Sequence, residues 1–185
     1  MLDRINIIKI IRDHFGTLKS LNQKSNWING KDFFLFLIFP IMVASLLTFQ
    51  GYNFQSELGN LITAISIFGG FLFNLLAIIY SQIDNMKKDA ETENDDLKKK
   101  FVNEIHINIS FCIVLSILIV LTLLLTTIDI PDFEFNWLIT KIIIGLNYFL
   151  MTLFLLTLLM ILNRVYILLK QESEEKSTMP NIVYQ

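Results

Sequence analysis

The residues of this chain that could do chemistry inside a membrane are amides and hydroxyls, not acids or bases. Thr63, Ser66, Gly70, Asn74, Ala77 and Ser81 recur at steps of three, four, four, three and four, so all six fall on one face of a helix. Leu61–Tyr80 around them carries no charge and has the twenty residues needed to cross a hydrocarbon core. An unpaired amide is costly in hydrocarbon, so Asn74, near mid-depth, predicts that the stripe faces protein or water and not lipid. Two roles suit it. Small residues let helices approach closely while Asn74 hydrogen-bonds to a neighbouring helix, worth on the order of 1 kcal/mol. Alternatively, identical stripes from several subunits surround an axis and line a narrow path; four helices alone do not enclose a wet channel.

Catalytic and metal chemistry is not encoded in any recognisable spacing. Two histidines and one cysteine are scattered without ligand intervals, and there is no nucleophile elbow, phosphate loop or GxGxxG. The four apolar runs contain no Asp or Glu, which removes both an embedded acid–base pair and the carboxylates of a proton- or sodium-coupled transporter. A non-enzymatic protein without cofactor or metal is expected. Cys112, inside an apolar run, reads as a small packing residue. His14 falls at the polar edge of an N-terminal helix and is expected to be solvated. His106, which shares a face with Asn103 and Ser110 near a membrane boundary, is either proton-responsive or a hydrogen-bonded interfacial histidine. In the fourth apolar run, Asn147, Thr152 and Thr157 are candidates for hydrogen bonds between helices.

The elements that position these residues follow from hydropathy. The chain has 185 residues, 54% of them hydrophobic, with 16 Phe and few Gly or Pro, and its mean hydropathy is +0.56. This composition predicts an all-α polytopic membrane protein with four transmembrane helices, at about 33–49, 61–80, 107–128 and 142–162. Pro40 removes a backbone hydrogen bond in the first and predicts a kink. Residues 1–32 form an amphipathic interfacial helix and a turn: Leu2, Ile5, Ile8, Ile11, Phe15, Leu18 and Leu21 recur on one side. Arg4, Lys9, Arg12 and Lys19 on the other suit an anionic membrane surface, the alternative being a helix packed on a cytoplasmic domain. The layout ahead of Phe33 is charged and unlike a cleavable signal peptide.

Within a 33–169 transmembrane domain, residues 81–106 form a charged helical hairpin extension with its tip near Ala90–Asn94, and 170–185 follow as a polar cytoplasmic tail. Lys87, Lys88, Asp95, Asp96, Lys98, Lys99 and Lys100 either form a solvated face or dock a cytoplasmic protein partner. Segments 1–32, 81–106 and 163–185 carry six, five and three Lys or Arg, against none in 50–60 and one in 128–141. The positive-inside rule therefore puts both termini and the hairpin in the cytoplasm. A formal net charge of −2 gives no basic field for direct nucleic-acid binding.

Ser66–Asp84, SIFGGFLFNLLAIIYSQID, resembles a stretch in small multi-span membrane proteins of prokaryotic antiviral defence, where a small-residue helix with an F-N-L-L core runs into a charged cytoplasmic hairpin. The plan of four spans with both ends inside is similar to the membrane subunit of the Kiwa anti-phage system. The resemblance implies a homo-oligomer, a tetramer, paired with a cytoplasmic nucleic-acid-binding partner and responding to infection at the inner membrane. It implies no residue-level role. On it rests the expectation of an oligomeric defence platform that senses membrane perturbation or recruits an effector. A channel-type effector that depolarises the membrane and an accessory subunit of a transporter or secretion complex are the alternatives.

Overall fold

The structure is a computed structural model that describes residues 6–18, 30–52, 54–88, 94–127 and 136–178, with side chains for 6–18, 32–52, 54–81, 99–127 and 136–170. Among these residues the protein is all-helical. An N-terminal helix α1 (Ile7–Thr17) precedes α2 (Gly30–Phe33), a π-helical stretch (Phe34–Ile38) and α3 (Phe39–Phe49), which run on as one helix. A short 3-10 turn (Gln55–Glu57) leads into α4 (Leu58–Lys88), and α5 (Asn94–Leu125) and α6 (Asn136–Thr178) complete the fold. Three helical stretches are long and apolar enough to cross a membrane, Gln55–Ser81, Lys99–Leu125 and Asn136–Lys170, with a shorter apolar one at Phe34–Phe49.

Local chemistry sets the element ends. The Asn6 side chain accepts from the Lys9 amide at 2.9 Å and caps α1. Pro40 has no N–H to bond the preceding turn, and the helix before it widens: the Phe39 N–H donates to Phe34 O, the five-residue step of a π-turn. Gly51, with φ +75°, ends α3 in the left-handed conformation that glycine adopts freely. The Gly51 and Tyr52 amides then donate to Thr48 O and Leu47 O, both at 3.3 Å, closing a Schellman cap.

The core is organised on α5. Val102, Ile105, Ile109, Cys112, Ile119 and Leu123 of this helix are buried almost completely. α4 lies along one side of α5, α6 along another and α1 along its N-terminal half, while α3 packs on α6. Tyr148 of α6 donates to Tyr52 O at 3.3 Å and meets Phe54 edge-on, so the connection from α3 to α4 is pinned on α6. α4 is therefore an edge helix. It buries Ile65, Gly69, Leu72 and Ile79 on its packed side, and its Phe68 meets Phe154 of α6 edge-on. At 31 residues α4 is about 46 Å long, longer than a hydrocarbon core of about 30 Å.

Two glycines mark close helix approaches. A Cβ on Gly69 would lie 3.0 Å from Ser116 Oγ of α5, and one on Gly145 would lie 3.2 Å from Thr48 Oγ1 of α3. Gly70, one residue on, faces open space. Gly69→Leu should therefore overpack the α4–α5 contact and lower stability by about 1–3 kcal/mol. Gly70→Ala should be neutral or stabilise by about 1 kcal/mol through helix propensity. Thermal unfolding in detergent, followed by circular dichroism, checks the contrast; equal loss in both variants would refute the assigned contact.

Candidate functional site

The densest polar chemistry lies where α1 meets α5 and α6. His14 lies on the packed side of α1 and is fully buried, not solvated as the helix's polar edge suggested. The reason is helical phase. His14 follows Ile10 and Ile11 and precedes Thr17 and Leu18 at three- and four-residue steps, so it continues the side that docks on α5. Its ring stacks on Phe111 at 3.8 Å between centroids and meets Phe15 and Phe36 edge-on.

Asn108 of α5 is the partner. Its Oδ1 accepts from His14 Nδ1 and from Thr17 Oγ1, each at 2.9 Å. Since Oδ1 is acceptor only, the neutral ring carries its proton on Nδ1. His14 Nε2 and Asn108 Nδ2 are buried without a hydrogen bond. Arg164 of α6 completes the junction. Nη1 pairs with Glu104 of α5, and Nη2 donates at 2.9 Å to Thr17 O, a carbonyl that the end of α1 leaves without a helical partner. Asn108 was missed because it is one amide within an apolar run; its signal is the four-residue step from Glu104, which puts both on the face that meets α1 and α6.

Burial pushes the His14 pKa down from its ordinary 6.5 to about 4; the Asn108 hydrogen bond opposes the shift and the Arg164 charge adds to it. The imidazole is thus neutral at pH 7, and the junction holds one compensated ion pair beside an uncharged ring.

A second polar contact joins α5 to α6. Thr122 Oγ1 donates to Asn147 Oδ1 at 2.8 Å, and Asn147 Nδ2 donates to Ile143 O at 3.0 Å. Thr152 and Thr157 instead donate back to Tyr148 O and Leu153 O of their own helix. His106 is half-buried and its carbonyl accepts from Ser110 Oγ. Cys112 packs in the core.

The stripe of α4 has a different fate. Thr63, Ser66, Gly70, Asn74, Ala77 and Ser81 are all exposed, with Ser66 and Gly70 at the margin of the α5 contact. Thr63 donates to Gly59 O within its own helix, and no hydrogen bond joins Asn74 to another described residue. The small-residue contact within the chain is made by Gly69, next to the stripe. A groove of about 300 Å3 runs beside it, lined by Ser66, Gly69, Gly70, Phe73, Ser116 and Leu121. Of the remaining expected residues, Lys9 and Arg12 are exposed on α1, Lys100 is exposed and Lys99 half-buried at the start of the described α5 side chains. Lys87, Lys88, Asp95, Asp96 and Lys98 lie on helical backbone with side chains outside the described set, and Arg4 and Lys19 lie outside the described residues altogether. Among the described residues no group of His, Cys, Asp and Glu could hold a metal.

The sign of the His14 shift fixes a pH dependence. A group whose folded pKa is depressed adds stability in full above its ordinary value and loses it as pH falls toward the folded one. Docking of α1 should be complete at pH 7 and weaken as pH falls from 6.5 through about 4. Amide exchange of Ile7–Thr17, corrected for intrinsic rates, reads this directly. His14→Phe should flatten that pH dependence, and an unchanged profile in the variant would show that another group carries it.

No protein-family model matches this chain, and neither a curated protein nor a solved structure matches it.

Proposed function

We propose that this chain is a non-enzymatic, homo-oligomeric protein of the bacterial inner membrane whose copies meet through the outer face of α4. The observation that supports this is the exposed stripe on an edge helix, with Asn74 in its middle and no partner for its amide among the described residues. In hydrocarbon that amide costs free energy until another polar group meets it. A second copy supplies one at no further sequence cost, because a stripe of small residues is complementary to itself across a two-fold or around a ring. The groove beside the stripe offers room for a side chain of the partner copy.

In this reading Phe34–Phe49, preceded by Gly30–Phe33, is a fourth span. The weight of Lys and Arg in 1–32, 81–106 and 163–185 keeps both ends and the charged hairpin in the cytoplasm. The hairpin then recruits a cytoplasmic protein, with a role in sensing membrane perturbation during infection; the defence setting rests on the resemblance of Ser66–Asp84 and of the four-span plan. The same exposed stripe favours one second reading, in which the copies surround an axis and the oligomer conducts ions.

Native mass in detergent tests the contact. Gly70→Leu combined with Asn74→Leu should shift the oligomer toward smaller species while leaving helix content unchanged, and an unaltered mass would remove α4 as the interface. Discrete conductance steps in planar bilayers, altered by Asn74→Leu, would move the assignment to the channel. Deletion of residues 86–100 should abolish co-purification of a cytoplasmic partner without preventing insertion, and retained co-purification would refute docking on the hairpin.

A further inference from the structure

A cavity of about 450 Å3 lies between α1, the start of the Gly30–Phe49 helix and the C-terminal half of α6. Its polar end is formed by Asp32, Asn163 and Arg164 and its apolar end by Leu35, Leu156 and Leu159. The two long walls are graded in the same direction. On α6, Leu156, Leu159 and Asn163 follow one another at three- and four-residue steps along one face, with Arg164 beside the last. Over that stretch of about 10 Å the wall changes from hydrocarbon to amide and guanidinium. On the facing helix, Asp32 lies one turn before Leu35. Leu159 is 62% exposed and Leu35 43%, so the apolar end opens sideways, out of the bundle. In a bilayer that opening faces acyl chains while the polar end lies at headgroup level.

The charges at the polar end select among headgroups. Arg164 is already paired with Glu104, and two of its five N–H donors are engaged, one by Glu104 and one by Thr17 O. Its remaining donors and the Asn163 amide suit a phosphate. Asp32 adds a carboxylate, and among the described residues no cation pairs with it. Among the described side chains, Arg164, Glu104 and Asp32 together carry one net negative charge at the polar end. A lipid whose phosphate is its only charge meets that excess unfavourably. A lipid that carries a primary ammonium beyond the phosphate places the ammonium against Asp32 and the phosphate against Asn163 and Arg164.

We infer that this cavity is a phospholipid site selective for a phosphoethanolamine headgroup, with the acyl chains leaving along Leu156, Leu159 and Leu35. The volume is that of an ordinary small-molecule pocket and holds the headgroup, the glycerol and the first methylenes. This site differs from the outer side of α1, where Lys9 and Arg12 are exposed. It rests on the membrane setting proposed above and gives that setting a lipid ligand. It needs no contact between copies. Because Thr17 and Leu18 of α1 also line the cavity, bound lipid touches the helix that the His14 junction holds in place.

Native mass spectrometry of the intact chain in detergent, with equimolar phosphatidylethanolamine and phosphatidylglycerol of identical acyl chains, tests the site. Retention of the ethanolamine lipid should exceed that of the glycerol lipid by about fivefold, the discrimination one partly exposed ion pair supplies. Asp32→Asn should bring the ratio to near unity. Leu159→Trp, which fills the apolar end from a position already exposed, should lower retention of both. Equal retention by the unaltered protein, a preference that survives Asp32→Asn, or retention unaffected by Leu159→Trp would each overturn the proposal. So would displacement of the lipid by excess phosphoethanolamine lacking acyl chains, which would make the headgroup alone the ligand. The same spectra separate the two proposals. A monomer that keeps the lipid preference removes the α4 interface and leaves this site, whereas an oligomer without the preference does the reverse.

Discussion

The polar contact between α1 and α5 centres on one acceptor atom, Oδ1 of Asn108, which takes hydrogen bonds from the ring and the hydroxyl of one turn of α1. A buried polar group without a partner costs roughly 1–3 kcal/mol, so α1 cannot leave without exposing that cost at Asn108, and Asn108 cannot be apolar without orphaning His14. The neighbouring Arg164–Glu104 pair works in the same way across α5 and α6. Replacing such a pair by apolar residues can be neutral, but removing one member leaves a buried charge uncompensated. Arg164 also binds the terminal carbonyl of α1, so one guanidinium ties three helices. α5 supplies polar contacts toward all its neighbours: Glu104 and Asn108 toward α6 and α1, Ser116 against Gly69 of α4, Thr122 to Asn147 of α6. That distribution explains why a helix of such uniform hydrophobicity still has defined neighbours.

The helical, membrane-like character of the chain was legible from composition and from runs free of charge, because hydropathy over some twenty residues averages out local ambiguity. The stripe of α4 was equally legible, because six small or polar residues in an apolar helix leave little doubt about phase. What faces the stripe was not, since periodicity gives a face and not its neighbour. Gly69 and Gly70 illustrate the limit: adjacent identical residues differ by 100° in direction, and only packing tells which one touches Ser116. His14 was misplaced for a related reason. Polarity suggested water, while its helical position suggested the packed side. In a short amphipathic helix the position wins when a partner such as Asn108 can satisfy the ring.

The connectivity leaves α4 at an edge. α3 and α4 are consecutive, yet α3 packs on α6 and α4 on α5, with the link between them held by Tyr148 and Phe54. Among the described residues, the face of α4 with the smallest side chains is an exposed one. Large apolar side chains such as Phe71 and Ile78 are exposed on the same helix, as lipid contact requires, so exposure alone does not distinguish the stripe. The polarity of Asn74 does.

Three asparagines in the apolar helices show how one side chain serves three ends. Asn147 is satisfied by a threonine across a helix pair and by its own helix backbone, which locks the register of α5 against α6. Asn108 accepts twice from α1 and leaves its amide nitrogen unpaired, so its energy is committed to holding a helix that is not itself apolar enough to insert. The Asn74 side chain hydrogen-bonds to no other described residue. In water a lone exposed asparagine would carry no information, since solvent satisfies it. In hydrocarbon the same residue is a demand for a partner, and the bilayer turns an ordinary surface amide into a statement about what must lie beside it. Asn147 is paired across a helix pair and Asn108 accepts from α1, whereas Asn74 lies on the exposed side of α4; in the oligomer proposed above, a second copy supplies the polar group that this amide lacks.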